Sequence, residues 1–451
     1  MDKNLSPPFR RKIYREMLEW KRGWSGRYAL LIEGARRVGK TTIVKEFAAR
    51  EYENSIYIDF NNPPEQIIPL FEHNSGNLDR FLSYLGALYK VEMHERRTLI
   101  IFDEVQNYPK ARALIKYLVE DGRYDYIETG SLISLRKNVE NITIPSEEMR
   151  IEMYPMDFEE FCWAGGDETT VPFIRKHFEE MVPLAPLHGE MMERYRTYML
   201  VGGMPQAVAE YWNTKDFSNV EKVKRQILAL YREDMGKIPV GNGTKARMIF
   251  DHIPSMLSFH RKTFSPSRVK KGSKRNAYAD SVSWLEEAKI CNICYVCADP
   301  DTMLNLTRGD EFKCYLLDTG LLVTLEIEER SSSGIYSSFI GGDLSINSGM
   351  FFENMVAQEL RCSGHNLFYH EFYPSPCSKK PYEVDFILPA DSGGIVPIEV
   401  KSGRISARHA SLDAFVSKYQ ERVRRSYVVH SRDLRVDGDI VYIPIYMSMF
   451  L

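Results

Sequence analysis

Apolar and polar positions along the N-terminal part of the chain predict strands that alternate with helices. Short apolar strands are expected in "YALLIEG", "RTLIIFDE" and "YDYIETG", and each ends in glycine or polar residues. The run "KTTIVKEFAA" after the first strand contains no Gly or Pro and is typical of a helix. This alternation predicts an α/β sheet covered by helices.

The pattern changes in the middle of the chain. Residues 155–235 are rich in Glu, Met and aromatic residues at helical spacing, and Gly202, Gly203 and Pro205 separate two helices there. From about 240 to 325 the pattern predicts helices followed by short strands. Further on, "GMFFENMVAQELRCSG" predicts a helix that ends at Gly364, and "YEVDFIL" and "IVPIEVKSG" predict two strands.

The first strand leads into the pattern Gly34-x-x-x-x-Gly39-Lys40-Thr41, which has the order of a phosphate-binding P-loop. Glycines let backbone N–H groups turn toward phosphate oxygens, and Lys40 places a positive charge on the β- and γ-phosphates of ATP. The hydroxyl of Thr41 would ligate Mg²⁺, and Thr42 is a further nucleotide-binding candidate. The structural alternative is a Gly-rich turn between a strand and a helix.

Two carboxylates end the strand "RTLIIFDE". Asp103 would hold Mg²⁺, directly or through water, and Glu104 would orient and polarise the attacking water. Ligands bind at the carboxyl ends of strands in open α/β sheets, which favours a functional interpretation. After the next strand, Thr129 or Ser131 is a candidate to contact the γ-phosphate. Both residue types are also ordinary in turns.

Composition limits the classes of protein to consider. A chain of 451 residues is expected to hold about three domains. The net charge of −3 gives no general attraction to nucleic acid, so any such contact depends on local basic clusters. No apolar run approaches a membrane span, and the N-terminus does not resemble a signal peptide. With its seven scattered Cys, the chain is expected to be cytoplasmic.

One segment is a candidate for nucleic-acid contact. Residues 261–275 contain few acids and carry a run of cations: Arg261, Lys262, Arg268, Lys270, Lys271, Lys274 and Arg275. These side chains could follow a phosphate backbone. A solvated charged surface is the alternative.

Three closely spaced cysteines in "CNICYVC" resemble iron–sulfur ligands only superficially. Alternate residues of a strand face opposite ways, so Cys294 would point away from Cys291 and Cys297. We therefore predict three buried cysteines of a strand that bind nothing.

Charged residues of the last hundred positions form a second candidate site. Glu353 shares a helical stripe with apolar residues, and Glu399 and Lys401 lie on one face of the strand that follows Asp385. Crowded carboxylates raise one another's pKa unless a cation lies among them. Lys401 or a metal could supply that cation.

Several stretches together resemble a known family: "GARRVGKTT", "LIIFDEVQN", "ETGSLISL", "MRIEMYPMDFEEF", "YMLVGGMPQAV", "FKCYLLDTGLL" and "EVDFILPADSGGIVPIEVKSG". They are similar to AAA+ ATPases of bacteria and archaea with a C-terminal domain of unknown function. The resemblance implies a P-loop ATPase of the glutamate-using division that binds ATP and Mg²⁺. Where the family has a Gly-Arg pair, this chain has Met149-Arg150, so Arg150 is a candidate to contact a phosphate or to form a surface salt bridge.

The C-terminal residues resemble the core of PD-(D/E)xK nucleases. In that resemblance Glu353, Asp385 and Glu399 bind the metal, and Lys401 acts with Glu399 in catalysis. The chain departs from the pattern by lacking a Pro directly before Asp385. A nuclease relic whose charges survive as an ion-paired core is the alternative.

The predicted fold class is a multidomain α/β protein. The expected domains are a P-loop AAA+ domain at 1–165, a helical lid or connector at 166–235, a winged-helix-like domain at 236–335 and a restriction-endonuclease-like domain at 336–451. The predicted function is Mg²⁺-dependent ATP hydrolysis coupled to DNA handling, with metal-dependent cleavage as a hypothesis. The alternative is a nucleotide-gated switch that binds a protein partner and cuts nothing. The sequence leaves the oligomeric state open.

Overall fold

The fold is described from a computed structural model of the chain. The described parts are residues 9–130, 145–238, 241–259, 261–300, 308–327, 348–375, 377–390, 393–402 and 409–451. The chain divides into two compact units. The first comprises the residues up to Tyr154 together with Glu287–Lys289, and the second comprises the remainder.

The first unit is built on one five-stranded sheet. Its strands are β1 Ala29–Glu33, β2 Asn54–Asp59, β3 Thr98–Asp103, β4 Asp125–Gly130 and β5 Glu148–Glu152. Its helices are α1 Ile13–Gly23, α2 Lys40–Glu51, α3 Ile67–Asn74, α4 Leu78–Tyr89 and α5 Pro109–Asp121. The spatial order is β2-β3-β4-β1-β5, and each neighbouring pair is parallel. The predicted α/β architecture of this region is confirmed.

The central strands are buried on both faces. Every residue of β1, β3 and β4 is buried, as expected where helices cover a parallel sheet. In the core, the ring of Phe71 lies 4.9 Å from that of Phe81 and 5.8 Å from that of Phe102, measured between centroids. Parallel strands end at one edge of the sheet, so the residues that follow β1, β3 and β4 are brought together.

The second unit is rich in helices. They are α6 Phe158–Ala164, α7 Thr170–Glu179, α8 His188–Val201, α9 Pro205–Thr214, α10 Phe217–Gly236, α11 Asn242–Ser258, α12 Pro266–Val269, α13 Ala279–Glu287, α14 Thr319–Ile327, α15 Ser348–Cys362 and α16 Ala410–Lys418. Helices α6 to α10 confirm the helical prediction for residues 155–235. None of the helices in the described parts of the chain is both long and apolar enough to cross a lipid bilayer.

The Gly202-Gly203 pair separates α8 from α9, as predicted, and has a second role. Asp318 accepts hydrogen bonds from the backbone N–H of Gly203 at 2.6 Å and of Leu321 at 2.8 Å. A Cβ on Gly203 would lie 2.0 Å from the carbonyl oxygen of Met156, and one on Gly202 would lie 2.3 Å from Asp318 Oδ1. Only glycine fits these close approaches.

Two sheets complete the second unit. Their strands are β6 Cys291–Cys297, β7 Arg308–Leu316, β8 Phe368–Phe372, β9 Tyr382–Val384, β10 Phe386–Pro389, β11 Ile395–Val400, β12 Ser426–His430, β13 Arg435–Asp437 and β14 Ile440–Pro444. One sheet has the order β7-β6-β8-β9, and the other has the order β10-β11-β12-β14-β13. Strand β8 pairs in parallel with β6.

The segment predicted as one strand around Asp385 forms two. Strand β9 pairs with β8, whereas β10 pairs with β11, so the chain changes sheets at Asp385. The Asp385 carboxylate accepts a hydrogen bond from the backbone N–H of Val400 at 2.8 Å. This bond fixes the acid beside the end of β11.

The cysteine-rich stretch forms β6, as predicted. Cys291, Cys294 and Cys297 are all buried with free thiols. A register shift between Tyr295 and Cys297 interrupts the antiparallel pairing with β7. The strand and its burial are therefore confirmed.

The domain boundaries expected at 165, 235 and 335 all fall inside the second unit, which begins at Pro155. Strands β6 and β7 come from the predicted winged-helix segment, yet they share a sheet with β8 and β9 from the segment that follows. The division of this unit into three domains stays a prediction from the sequence.

Candidate functional site

The loop between β1 and α2 is shaped by close backbone approaches. Gly39 has a φ of 105° and Arg37 a φ of 72°, both in the left-handed region. A Cβ on Gly34 would lie 2.3 Å from the carbonyl oxygen of Met153, so a side chain is excluded there. The guanidinium of Arg11 donates a hydrogen bond to the carbonyl oxygen of Val38 at 2.8 Å and so stabilises the loop. Gly34 and Gly39 thus have steric and conformational reasons to be glycine.

Lys40 begins α2 and points into this loop. Its ammonium donates to the carbonyl oxygens of Gly34 at 2.8 Å and Ala35 at 3.0 Å. The side chain is buried, and burial lowers the pKa of Lys40, while the carboxylates of Glu104 and Asp103 oppose that shift. Because these carbonyl groups are neutral, the positive charge of Lys40 is not cancelled and can attract the anionic oxygens of a phosphate.

Asp103 is the meeting point of four elements. Its Oδ2 accepts a hydrogen bond from Thr41 Oγ1 of α2 at 2.8 Å and another from the Tyr57 hydroxyl of β2. Its Oδ1 accepts a hydrogen bond from Thr129 Oγ1 of β4. Asp103 is itself buried at the end of β3. A carboxylate beside a threonine hydroxyl is a donor set of the kind that Mg²⁺ prefers.

Glu104 follows Asp103 in a left-handed conformation with a φ of 54°. Its backbone N–H donates to Thr129 Oγ1 at 3.4 Å, and its carboxylate accepts a hydrogen bond from the Gln106 side chain. The left-handed turn directs the carboxylate of Glu104 differently from that of Asp103. Two adjacent acids thereby have different neighbours.

The structure brings together most of the residues predicted for nucleotide binding. Thr41, Asp103 and Thr129 are connected by the hydrogen bonds above, and Glu104 adjoins them. Lys40 is close enough to Glu104 and Asp103 for their charges to raise its pKa against the effect of burial. Thr42 is exposed in the first turn of α2. Ser131 lies outside the described residues. Their roles toward nucleotide stay predictions.

Sequence reasoning missed Tyr57 at this site. Its ring lies under the ammonium of Lys45, with 3.8 Å between the nitrogen and the ring centroid, and its hydroxyl reaches Asp103. Burial, then the hydrogen bond to Asp103, raises the pKa of Tyr57. Finding it requires knowing that β2 lies beside β3, which no local motif states.

Arg150 lies on the edge strand β5. Its guanidinium is 3.5 Å from the Glu148 carboxylate, and the side chain is 44% exposed. This contact corresponds to the salt bridge considered as one alternative for Arg150. A role toward phosphate stays a hypothesis.

The basic segment 261–275 divides into cations with and without acidic partners. Arg261 is 2.9 Å from Glu371 and 3.0 Å from Glu311, and Lys262 is largely buried against an acid described below. Arg261 and Lys262 therefore form ion pairs within the protein.

The other described cations of this segment are directed outward. Arg268 donates to a backbone carbonyl at 2.9 Å and lies 4.2 Å from the Phe259 ring centroid. Lys270, Lys271 and Lys274 are exposed and form no ion pair with any described residue. The Arg275 side chain lies outside the described part of the structure. Three lysines are thus available to a partner.

The predicted acids of the C-terminal part lie on three elements. Glu353 lies on α15, Asp385 lies between β9 and β10, and Glu399 lies on β11. Lys401, directly after β11, donates to Glu399. Burial, then the charge of Glu353, raises the pKa of Asp385 to about 6. Burial, then the charge of Asp385, raises the pKa of Glu399 to about 7.

Glu353 has cationic partners that sequence reasoning missed. It accepts hydrogen bonds from the ammonium groups of Lys262 and Lys313 and from the hydroxyl of Tyr315. Burial opposes ionisation, but the two ammonium groups outweigh it and lower the pKa of Glu353 to about 2. Both carboxylate oxygens of Glu353 therefore have hydrogen-bond donors.

The arrangement of these acids bears on whether they could hold a metal. Within the described ranges, no group of three or more His, Cys, Asp or Glu side chains is placed to hold a metal ion. Ammonium groups, not open space, adjoin Glu353. The donor set therefore does not fit a three-acid metal centre, and the ligand role of Glu353, Asp385 and Glu399 stays a hypothesis.

Family models match three parts of the chain. Residues 26–162 match the model of an AAA domain. Residues 192–332 and 348–447 match two domains of unknown function, DUF8612 and DUF4143. The comparison with curated protein sequences finds no match. The first match and the P-loop geometry agree that the chain contains a P-loop AAA+ domain.

Three solved structures are distantly similar to the chain. The Cdc6p structure from Pyrobaculum aerophilum is 10% identical, with 73% of this chain and 98% of that chain covered and a TM-score of 0.25. A STAND protein with a tetratricopeptide repeat sensor from Pyrococcus horikoshii is 10% identical, with coverage of 78% and 48% and a TM-score of 0.28. Drosophila ORC bound to DNA is 13% identical, with coverage of 68% and 91% and a TM-score of 0.24.

Proposed function

We propose that this protein binds ATP with Mg²⁺ and hydrolyses it. The observation that carries the proposal is the convergence of Lys40, Thr41, Asp103 and Thr129, with Glu104 beside them, at the carboxyl edge of the sheet. A P-loop, a threonine hydroxyl and an acidic pair in this arrangement supply the groups that phosphoryl transfer needs.

Each residue has a distinct task in this proposal. Lys40 exchanges its carbonyl partners for the β- and γ-phosphate oxygens, and Thr41 and Asp103 hold the metal. Bound Mg²⁺ neutralises charge on the phosphates. Glu104 orients and polarises the attacking water. Thr129 holds Asp103 in place by a hydrogen bond. Because Thr129 also contacts the backbone of Glu104, we assign it the role of contacting the γ-phosphate.

The direct test of nucleotide binding is the Lys40→Ala variant. At 100 times its dissociation constant, Mg-ATP is expected to stabilise the wild type by about 2.7 kcal/mol, and the variant by nothing measurable. Thermal unfolding with and without Mg-ATP measures both. Lys110→Ala, which removes an exposed lysine 3.3 Å from Glu72, is the matched control. A shift that persists in Lys40→Ala would place the nucleotide elsewhere.

We further propose that the protein associates with DNA through the exposed lysines of segment 261–275. Two features support this proposal. Thr263 pairs with Lys313 of β7 through an isolated antiparallel β-bridge. A winged-helix module is compatible with the order of elements, in which helices α11, α12 and α13 precede the antiparallel strands β6 and β7. Lys270, Lys271 and Lys274 follow α12 and are free to contact phosphates.

The DNA proposal predicts a change in salt dependence. Each lost phosphate contact should flatten the slope of log affinity against log salt by about 0.9. The triple variant Lys270→Ala/Lys271→Ala/Lys274→Ala is therefore expected to show a smaller slope than the wild type. Fluorescence anisotropy with a duplex at several salt concentrations measures it. Replacing the exposed pair Lys379 and Lys380 with Ala should leave the slope unchanged, and an unchanged slope in the triple variant would end the proposal.

A second candidate function is a nucleotide-gated switch whose C-terminal part binds a partner without cleaving nucleic acid. The contacts of Glu353 with two lysines favour it over metal-dependent cleavage. DNA-stimulated ATP hydrolysis would support coupling to DNA handling, whereas slow turnover that ignores DNA would support the switch.

A further inference from the structure

Lys313 is a fully buried cation in the middle of the predicted nuclease-like centre. It lies on β7, where its ammonium is 2.6 Å from Glu383 and 3.2 Å from Glu353. Asp385 is 3.9 Å away. The ammonium also lies 4.8 Å from the Tyr369 ring centroid. A lysine with no exposed surface needs such partners, because an unpaired buried charge is very costly.

Lys262 and Tyr315 complete the surroundings of Glu353. Lys313 and Tyr315 both donate to Oε1, and Lys262 donates to Oε2. Each carboxylate oxygen can accept about two hydrogen bonds, so most of the acceptor capacity of Glu353 is used. A divalent ion could bind Glu353 only by displacing an ammonium group that the fold holds in place.

The charges in this region nearly balance without a metal. The acids are Glu353, Glu383, Asp385 and Glu399. The lysines are Lys262, Lys313 and Lys401. Four ionised acids and three ammonium groups leave at most one net negative charge. A divalent ion would reverse that balance inside a low-dielectric site.

We propose that Lys313, assisted by Lys262, is the resident cation of this centre and takes the place that a divalent metal would occupy in a nuclease. Glu353, Glu383 and Asp385 are then a structural charge cluster that connects the strand β7 to α15 and to the turn at Asp385. This inference deepens the second candidate function, because a centre filled by lysine cannot activate water for cleavage. It is independent of ATP hydrolysis at the P-loop.

The first test asks whether the centre binds a metal. We use nucleotide-free full-length protein with Asp103→Asn, so that the P-loop site contributes no metal binding. Calorimetric titration with Mn²⁺ is expected to give the same heats with and without the further change Asp385→Asn. Mn²⁺ binding that Asp385→Asn abolishes would overturn the proposal.

The second test asks whether Lys313 balances Glu353. Lys313→Met is expected to lower the thermal midpoint by roughly 5–10 °C, since removing one partner leaves buried acids uncompensated. The double variant Lys313→Met/Glu353→Gln removes one charge of each sign and is expected to regain most of that loss. Lys270→Met, at an exposed lysine, is the control and should cause no shift.

If the two substitutions are simply additive, or if Lys313→Met is as stable as the wild type, Lys313 is not the balancing cation. Should Lys313→Met fail to fold, a folded double variant would itself show the charge balance, and a double variant that also fails to fold would overturn the proposal.

Discussion

Glu104→Gln is expected to bind Mg-ATP as the wild type does and to hydrolyse it about 10²–10⁴ times more slowly. The amide that replaces the carboxylate keeps the size of the side chain and its contact with Gln106, but it cannot accept a proton from water. Phosphate release under single-turnover conditions measures the rate, and thermal unfolding with Mg-ATP measures binding. The two readouts separate catalysis from affinity.

The matched control for this prediction is Glu65→Gln. Glu65 is exposed in the same unit, and the identical chemical change there should alter neither binding nor turnover. Equal turnover in Glu104→Gln and wild type would show that another group polarises the water. Loss of Mg-ATP binding together with turnover would instead assign Glu104 to the metal or the nucleotide.

The arrangement of side chains at the carboxyl edge of the first unit's sheet could be predicted because its signals are local. Gly34, Gly39 and Lys40 lie within one loop, and Asp103 and Glu104 are adjacent. Parallel strands bring their carboxyl ends to one edge, so two short motifs suffice to assemble the site. The register between β2 and β3 that brings Tyr57 to Asp103 is not a local property, and Tyr57 was missed.

The C-terminal centre could be predicted only in part for the same reason. The helix with Glu353 and the strand with Glu399 followed from periodicity. Lys313 reaches Glu353 from 40 residues away and Glu383 from 70 residues away. The sheet order β7-β6-β8-β9 and the packing of α15 against β7 bring these parts together. A sequence pattern states which acids are present, but their counter-charges depend on sheet order.

The glycine pair between α8 and α9 shows a different limit. Its role as a helix break follows from residue type alone. Its contact with Asp318, 115 residues away, does not. In this chain, Gly203 of "YMLVGGMPQAV" and Asp318 of "FKCYLLDTGLL" therefore have a structural contact with each other.

A cluster of buried charges beneath the sheet of the first unit leads to the remaining prediction. Arg112 of α5 donates to both oxygens of Glu148, at 2.7 and 2.6 Å, and both side chains are almost fully buried. Glu128 of β4 is also fully buried. Burial, then the charge of Glu148, raises the pKa of Glu128, while Arg112 opposes that shift. Arg112 is thus a counter-charge to two acids.

Arg112→Met is expected to lower the free energy of unfolding by about 3–5 kcal/mol at pH 8, because Glu148 loses a bidentate buried partner. The loss should be smaller at pH 5. When folding raises the pKa of a buried acid above its unfolded value, near 4.3, the ionised acid destabilises the folded state. This loss of folding free energy grows as pH rises above the unfolded value, so it is larger at pH 8 than at pH 5. Urea unfolding at both pH values measures the difference.

The double variant Arg112→Met/Glu128→Gln removes one of the two acids left without a counter-charge and should recover part of the stability at pH 8. Lys110→Met on the same helix is the control, since its ion pair is exposed. An equal loss at both pH values would mean that Arg112 acts through packing rather than through its charge.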